Sequence, residues 1–396
     1  MSFTKPFQEL AKDDALIAGG KGASLGEMTR AGIPVPGGYV VLADTFDVFL
    51  KETDLAQEID AILDSVNHEA IHTVEAASES IQALILSRPM PEVMQTEIQK
   101  QFQELGSQYV AVRSSATAED GAEHAWAGQL DSFLNTTETD LIEKVRRCWA
   151  SLFTPRAIFY RFEKGLHSTK ISVAVVVQKM VNSEKSGIAF SVHPVTEDYN
   201  QLIIEAGFGL GEAIVSGQVT PDSYVIEKEP RNILDVNVSH QSRALYRAEG
   251  GGSEWKELEN DFGNSQVLSE AQIQELSEII LRIEKHYGFP CDIEWAYEGG
   301  KFSIVQSRPI TTLAPVAIAP QSLFEENMGV IKDATWYRQR FDACPHFMFF
   351  LGDSHISTIQ QTGFPFGQRI AYAGFSKNRA DWYHSLSELE YTTSHI

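Results

Sequence analysis

Two acids and, one turn later, an amide and a guanidinium make up the most chemically suggestive group in this 396-residue chain. Asp292 and Glu294 stand two apart, as do Gln306 and Arg308, and Gly299-Gly300 between them predicts a hairpin. Strand residues two apart share a face, so Ile293 and Trp295 point away from the acids. Register decides whether the four polar side chains converge. A two-residue Gly299-Gly300 loop opposes Glu294 to Val305 and turns Gln306 to the wrong face. A three-residue loop, Gly299-Gly300-Lys301, opposes Glu294 to Gln306 and Asp292 to Arg308. In that register the oxygens suit Mg²⁺, which takes one or two carboxylates together with phosphate oxygens, and an arginine alongside suits phosphate. A solvent-facing hairpin with a cross-strand ion pair would use the same residues without a ligand.

Other basic residues stand in settings that suit an anion. Lys21 lies among Gly19, Gly20 and Gly22, where backbone N–H groups can approach a phosphate and the lysine adds a point charge. The spacing is not that of a P-loop, and a solvated turn lysine is the alternative. Arg113 ends the apolar run Tyr109–Val112 and opens the small polar run Ser114–Gly121, read as a loop; it faces an anion there or pairs with Glu119 or Asp120. Gly207-Phe208-Gly209-Leu210-Gly211-Glu212 is read as a flexible loop. It fails the dinucleotide spacing, and no βαβ unit follows it. His124 and His193 read as ordinary loop histidines.

The elements that must carry these groups alternate. Helical patterns cover 44–63, 92–105, 139–153 and 269–286, the last with a Ser269/Gln272 capping box and a stop at Gly288. Strands are expected at 109–112, 171–177, 187–192, 201–205, 224–226 and on both arms of the 292–307 hairpin. The result is a mixed α and β architecture. A net charge of −22 argues against nucleic acid. Cys148, Cys291 and Cys344 form no CxxC pair, which argues against a disulfide framework or a zinc site. No leader-like or membrane-spanning run is present, so a cytoplasmic protein with no membrane partner is expected.

Together the motifs carry a family resemblance. Gly20–Met28 with Ile33–Gly38, Val112–Asp120 with Ala127-Gly128-Gln129, Ser186–Ser191, Gly207–Glu212, and Asp292-Ile293-Glu294 followed by Gln306–Pro309 resemble, in order, the ATP-binding region of the phosphoenolpyruvate synthase, pyruvate phosphate dikinase and rifampicin phosphotransferase family. The resemblance implies an α+β, two-lobed ATP-grasp fold that clamps ATP with Mg²⁺. It implies a first lobe over 1–172, a second over 173–313 with the adenine hinge and metal hairpin, a linker over 314–320, and a partial, helical, aromatic-rich acceptor domain over 321–396. By the resemblance Lys21, Arg113 and Arg308 are catalytic. Lys21 and Arg113 hold phosphates with Thr117 in the same loop. Gln178, Lys179, Met180 and Val181 contact adenine through backbone groups. Glu294 and Gln306 carry Mg²⁺, and Asp292 and Arg308 complete the nucleotide site.

The resemblance also implies a small-molecule phosphoryl acceptor and a phospho-histidine domain. None of the eleven histidines lies in a T-x-G-G-x-x-x-H motif, so that domain is expected in cis in a longer protein or in trans. The aromatic density of 321–396 favours a hydroxylated organic acceptor, such as an antibiotic, over pyruvate. A non-catalytic ATP-sensing module and an ATP-grasp ligase are the alternatives, and the Arg113 loop counts against the ligase.

Overall fold

The computed structural model describes residues 2–117, 130–163, 172–311 and 313, together with four short strands between residues 351 and 373. The chain divides into two compact units, Met1–Ala314 and Pro315–Ile396.

The first unit holds two sheets. Strands β1 (Thr4–Pro6), β2 (Gly38–Val41), β3 (Val110–Ala116), β4 (Ser132–Thr136) and β5 (Val173–Lys179) form an antiparallel sheet in the order β1-β2-β5-β3-β4. The central strand β5 reads Val-Ala-Val-Val-Val-Gln-Lys, apolar on both faces, as a strand covered on both sides must be. Val173, Val175 and Val177 enter a core shared with Phe46, Phe49, Ile81 and Trp149, while Ala174 and Val176 enter a second core with Leu25 and Met28. Because β5 is central to this sheet, a lobe boundary at residue 172 cuts it from its partners; sheet membership divides the chain after Lys179.

The helices over the first core are α2 (Ala43–Glu52), α3 (Ala56–Asp64), α4 (Ile71–Ser87), α5 (Glu92–Leu105), α6 (Leu141–Ala150) and α7 (Pro155–Glu163), and α1 (Ala15–Arg30) lies on the other face. The expected helix over 44–63 is two helices, parted where Asp54 takes φ 57°. Helix α4 was not expected, although Val74, Ala77, Ile81 and Ile85 bury one face of it at helical spacing.

Strands β6 (Lys185–Phe190), β7 (Gln201–Phe208), β8 (Asp222–Glu227) and β9 (Ile233–Asn237) join β12 (Cys291–Glu298) and β13 (Lys301–Pro309) in a second sheet of order β13-β12-β6-β7-β8-β9. The hairpin β10 (Arg243–Arg247) with β11 (Ser253–Glu257) stands apart. Gly207 lies inside the interior strand β7, and Gly209 (φ 75°) bridges to Leu245, so the first half of the glycine run expected as a flexible loop is sheet. The short helices α8 (Glu212–Val215) and α9 (Asn260–Gly263) precede α10 (Glu270–Tyr287). Helix α10 opens on the capping box: Ser269 Oγ accepts from Gln272 N at 3.3 Å and Gln272 Oε1 accepts from Ser269 N at 3.1 Å. Its Ile273, Leu276, Ile280 and Ile283 pack with Ile293, Trp295 and Ile304 of the sheet. That leaves the acids of β12 on the opposite face.

The second unit, considered by itself, contains two described antiparallel pairs. These are β14 (Leu351–Gly352) with β15 (His355–Ile356) and β16 (Thr358–Gln361) with β17 (Ile370–Ala373). The aromatic-rich, helical reading of 321–396 lies almost wholly outside the described residues.

Candidate functional site

The hairpin brings its four polar residues together by a different route from the one the loop spacing implied. Glu298 pairs with Lys301, so the turn is the two-residue Gly299-Gly300, with φ of 56° and 81°. Positive φ at both positions is what a twist-matched turn requires and what glycine supplies. A β-bulge then inserts Val305 opposite the Glu294/Trp295 step. Trp295 pairs with Ile304, Glu294 with Gln306, and Asp292 with Arg308. The three-residue loop is therefore corrected to a tight turn plus one bulged residue, which restores the same register further down the strands.

The bulge also turns the Val305 carbonyl toward the first sheet. Arg113, on β3, donates from Nη1 to Val305 O at 3.1 Å, from Nη2 to Glu294 Oε2 at 3.3 Å, and from Nη2 to Gln306 Oε1 at 2.5 Å. These contacts span the two sheets. The Arg113 side chain is 12% exposed and that of Glu294 24%. Glu119 and Asp120, the other proposed partners of Arg113, lie outside the described residues, as do His124 and Ala127-Gly128-Gln129.

One rung along, Asp292 is satisfied inside the hairpin: Arg308 Nε and Nη2 both reach its Oδ2, at 2.8 and 2.7 Å. Burial pushes the Asp292 carboxyl up from its usual range, against the opposing charge and hydrogen bond of Arg308, with Glu294 adding to the rise. Glu205, on β7, faces the same way, since it opposes Ile188, which opposes Glu294. Its carboxyl is likewise raised, by burial and then by Asp292. Sequence spacing gave no sign of Glu205, because β7 reaches this face only through β6.

The first residues after Arg113, Ser114–Ala116, are strand rather than loop, and 118–121 of the expected loop lie outside the described residues. Ser114 and Ser115 are buried in β3, and their hydroxyls are what allow it. Ser114 Oγ donates to Asp131 O at 3.1 Å, and Ser115 Oγ accepts from Gly22 N at 3.3 Å. The second bond places the glycine motif. Helix α1 breaks at Gly19 (φ 67°, ψ 168°) and restarts, with Lys21 in the new first turn. Gly19 lies so close to Ser115 that a Cβ there would collide with its side chain and carbonyl. Lys21 is thus set against the end of β3, beyond Arg113. Thr117 closes β3 onto the approach to β5, its hydroxyl donating to Ser172 O at 3.0 Å.

Between the sheets lies a cavity of about 210 Å³ whose lining includes Arg113, Gln178, Met180, Val181, Glu212 and Glu294. Lys179 also lines it; Lys21, Thr117, Asp292, Gln306 and Arg308 do not. In the 178–181 run, Lys179 N–H already donates to Gly37 O (2.8 Å) and Met180 N–H to Tyr109 O (3.1 Å), so a base would use other groups there. One is the Gln178 side chain. It is 2% exposed, and its Nε2 is buried with no hydrogen-bond partner. The signal was available in the sequence as one amide at the end of an apolar β-branched strand.

His193 turns its Nδ1 to accept from Val195 N and Thr196 N at 3.3 and 3.2 Å, capping its own turn. Cys148 and Cys291 are free and buried, and burial pushes both thiols up to about 12, which suits packing rather than chemistry. Among the described residues no helix is long and apolar enough to cross a membrane, and no cluster of three or more His, Cys, Asp or Glu could hold a metal.

A mixed α and β domain with a polar cleft of this composition between two sheets is that of an ATP-binding domain. Residues 15–323 match the family described as pyruvate phosphate dikinase, AMP/ATP-binding domain, and the chain belongs to that family. It is 46% identical over 320 residues to a protein of Methanocaldococcus jannaschii named probable phosphoenolpyruvate synthase, covering 79% of this chain and 27% of the relative. It is 41% identical over 383 residues to phosphoenolpyruvate synthase of Pyrococcus furiosus (83% and 46%), and 36% identical over 322 residues to rifampicin phosphotransferase of Bacillus subtilis (81% and 37%). The chain thus spans between a quarter and a half of the length of these relatives.

Proposed function

We propose that the cleft binds ATP with Mg²⁺ as the nucleotide half of a dikinase-type phosphotransferase. In that reaction ATP, an acceptor and water become AMP, phospho-acceptor and phosphate through a phospho-histidine carried on a domain in cis or in trans. The observation that carries the reading is the Gln178 amide, buried and unpartnered in a cavity that Arg113 and Glu294 also line. A buried orphan donor costs stability, and a purine edge would satisfy it. Such a base would leave its phosphates toward Arg113 and the first turn after Gly19, where Lys21 stands.

The donor set fits a metal. Glu294 and Gln306 each present an oxygen on one rung of the hairpin, and both oxygens already hold a cation, the Arg113 guanidinium. Mg²⁺ bound there would neutralise phosphate charge. Arg113 and Lys21 orient the phosphates, Asp292 holds Arg308 beside the metal rung, and Gln178 selects the base. Lys21, Arg113 and Arg308 are the residues proposed to act on the phosphates.

For the acceptor, the greater identity to proteins named phosphoenolpyruvate synthase favours pyruvate. The 36% identity to rifampicin phosphotransferase and the aromatic content of 321–396 are what support a bulkier hydroxylated acceptor. A histidine-bearing domain added to this chain would form AMP with the acceptor of its own relative. Calorimetry with Mg·ATP, Mg·GTP and AMP tests the nucleotide site: saturable binding of Mg·ATP is expected, weakened by Gln178→Leu, and no binding by the folded chain would sink the reading.

A further inference from the structure

The oxygens that a metal would use are those that hold Arg113. We infer that the guanidinium and the metal are mutually exclusive occupants of the Glu294–Gln306 rung, so that Arg113 is a resident counter-cation that nucleotide phosphates must draw away before metal can enter. The inference deepens the Mg·ATP reading and rests on it.

The argument turns on single atoms. A Gln side chain has one oxygen, and that of Gln306 accepts from Arg113 Nη2 at 2.5 Å. Gln306 is 7% exposed, so that oxygen meets Arg113 in a largely buried setting. The same Nη2 reaches Glu294 Oε2 at 3.3 Å, while Nη1 is fixed by the carbonyl that the bulge at Val305 presents, at 3.1 Å. One guanidinium therefore takes three acceptors from β12 and β13, two of them the proposed metal ligands. A metal ion at Gln306 Oε1 would contend with Nη2 for the same lone pairs and repel it.

A lone metal ion would have to displace Arg113 Nη2 from both side-chain oxygens and leave a largely buried guanidinium with the Val305 carbonyl alone, which is costly. A triphosphate changes this, because its oxygens accept from arginine in a bidentate manner, so Arg113 can swing from the rung to the phosphates as metal replaces it. AMP lacks the terminal phosphates and would leave Arg113 in place. Metal and ATP should then bind with positive coupling that AMP does not share, and linkage makes the coupling reciprocal.

The test is Mn²⁺ titration of the folded chain without nucleotide, followed by the electron paramagnetic resonance of the free ion. Wild type should bind Mn²⁺ weakly, and saturating AMP should leave that affinity unchanged. Arg113→Met should bind Mn²⁺ about tenfold more tightly, within the usual range of coupling between sites, and adding Glu294→Gln should abolish the gain. Arg308→Met removes an equal charge one rung away and should give a much smaller gain. Equal gains in the two arginine variants, or none in Arg113→Met, would overturn the inference and reduce Arg113 to general electrostatics. If Arg113→Met does not fold, the wild-type AMP arm still decides: a rise in Mn²⁺ affinity with AMP overturns the interlock. Failure of wild type to bind Mn·ATP at all would instead remove the nucleotide reading on which it rests.

Discussion

Two buried polar regions of the second sheet handle the same problem in opposite ways. Asp222, at the start of β8, is fully buried, and its carboxylate accepts from Tyr224 Oη at 2.8 Å, Val267 N at 2.8 Å and Ser239 N at 3.0 Å. Two of those donors are backbone, and all come from the second sheet and its connections. Glu294, three strands away, is held across the cleft by one long side chain from the other sheet, and Gln178 on the facing wall has a donor with no acceptor. An acid whose partners are fixed backbone groups is part of the architecture. One whose partner is a side-chain guanidinium can exchange it for a ligand. The difference shows which polar groups are free to do work, a distinction that burial alone does not make.

The sharpest way to break the comparison is to remove one acid from each region. Asp222→Ala would leave two buried donors and one half-buried donor unpaired, each buried one worth about 1–3 kcal/mol, so unfolding free energy should drop by about 3 kcal/mol or more in a denaturant titration. A drop below about 1 kcal/mol would mean the carboxylate is not structural. Glu294→Ala and Gln306→Ala should do the reverse. Affinity for Mg·ATP should fall on the order of a hundredfold, about 3 kcal/mol as for a lost charged contact, with a smaller loss of stability than in Asp222→Ala, because Arg113 keeps two of its three acceptors in each variant. Calorimetry showing unchanged ATP affinity in both variants would remove them from the site.

A smaller effect separates the phosphates from the base. Lys21→Ala and Arg113→Ala should each weaken ATP by about tenfold, the lower end for a charged hydrogen bond, while AMP affinity barely moves. Equal losses for the two nucleotides would place both residues in the fold rather than at the phosphates.

The smallest effect is a pH dependence of opposite sign in fixed and cleft acids. Burial alone would raise the Glu97 carboxyl, but hydrogen bonds from Thr4, Ser2 and the N–H groups of Phe3 and Thr4 together hold it below its ordinary range. Its contribution is present above that range and lost as pH falls through the lowered value. Asp292 is raised, so its contribution is present at low pH and lost as pH rises through the raised value. The stability difference between wild type and Glu97→Gln should therefore shrink on acidification. Asp292→Asn should gain on wild type as pH climbs out of the ordinary carboxylate range. Parallel pH trends in the two variants, measured by urea titration at several pH values, would contradict this assignment of fixed and cleft acids.

Much of the frame is legible from residue patterns. The α10 stripe and its capping box, the Val173–Val177 strand and the glycine turn at 299–300 are local, and local sterics and burial suffice to read them. What misled the reading was chemistry satisfied at long range. Ser114 and Ser115 look like loop residues because hydroxyls in a core are costly when unpaired, yet Asp131 O accepts from Ser114 and the Gly22 N–H, far off in sequence, donates to Ser115. Helix α4 has a regular apolar stripe that local spacing does carry, whereas Glu205 is joined to the site only through the intervening strand β6.

The sequence by itself determined the family, the ordered motifs and the identity of the polar residues, because residue type and spacing are local quantities. Whether Glu294 meets Gln306 was a matter of one residue of register, and spacing offered two turns that gave opposite answers. The structure takes the tight turn and recovers the register with a bulge at Val305, next to which Ile304 N–H donates outside the sheet, to Pro34 O at 2.8 Å. The pairing of Arg113 with that rung was likewise settled only in three dimensions, since 181 residues separate it from Glu294 and no local pattern carries a contact between two sheets.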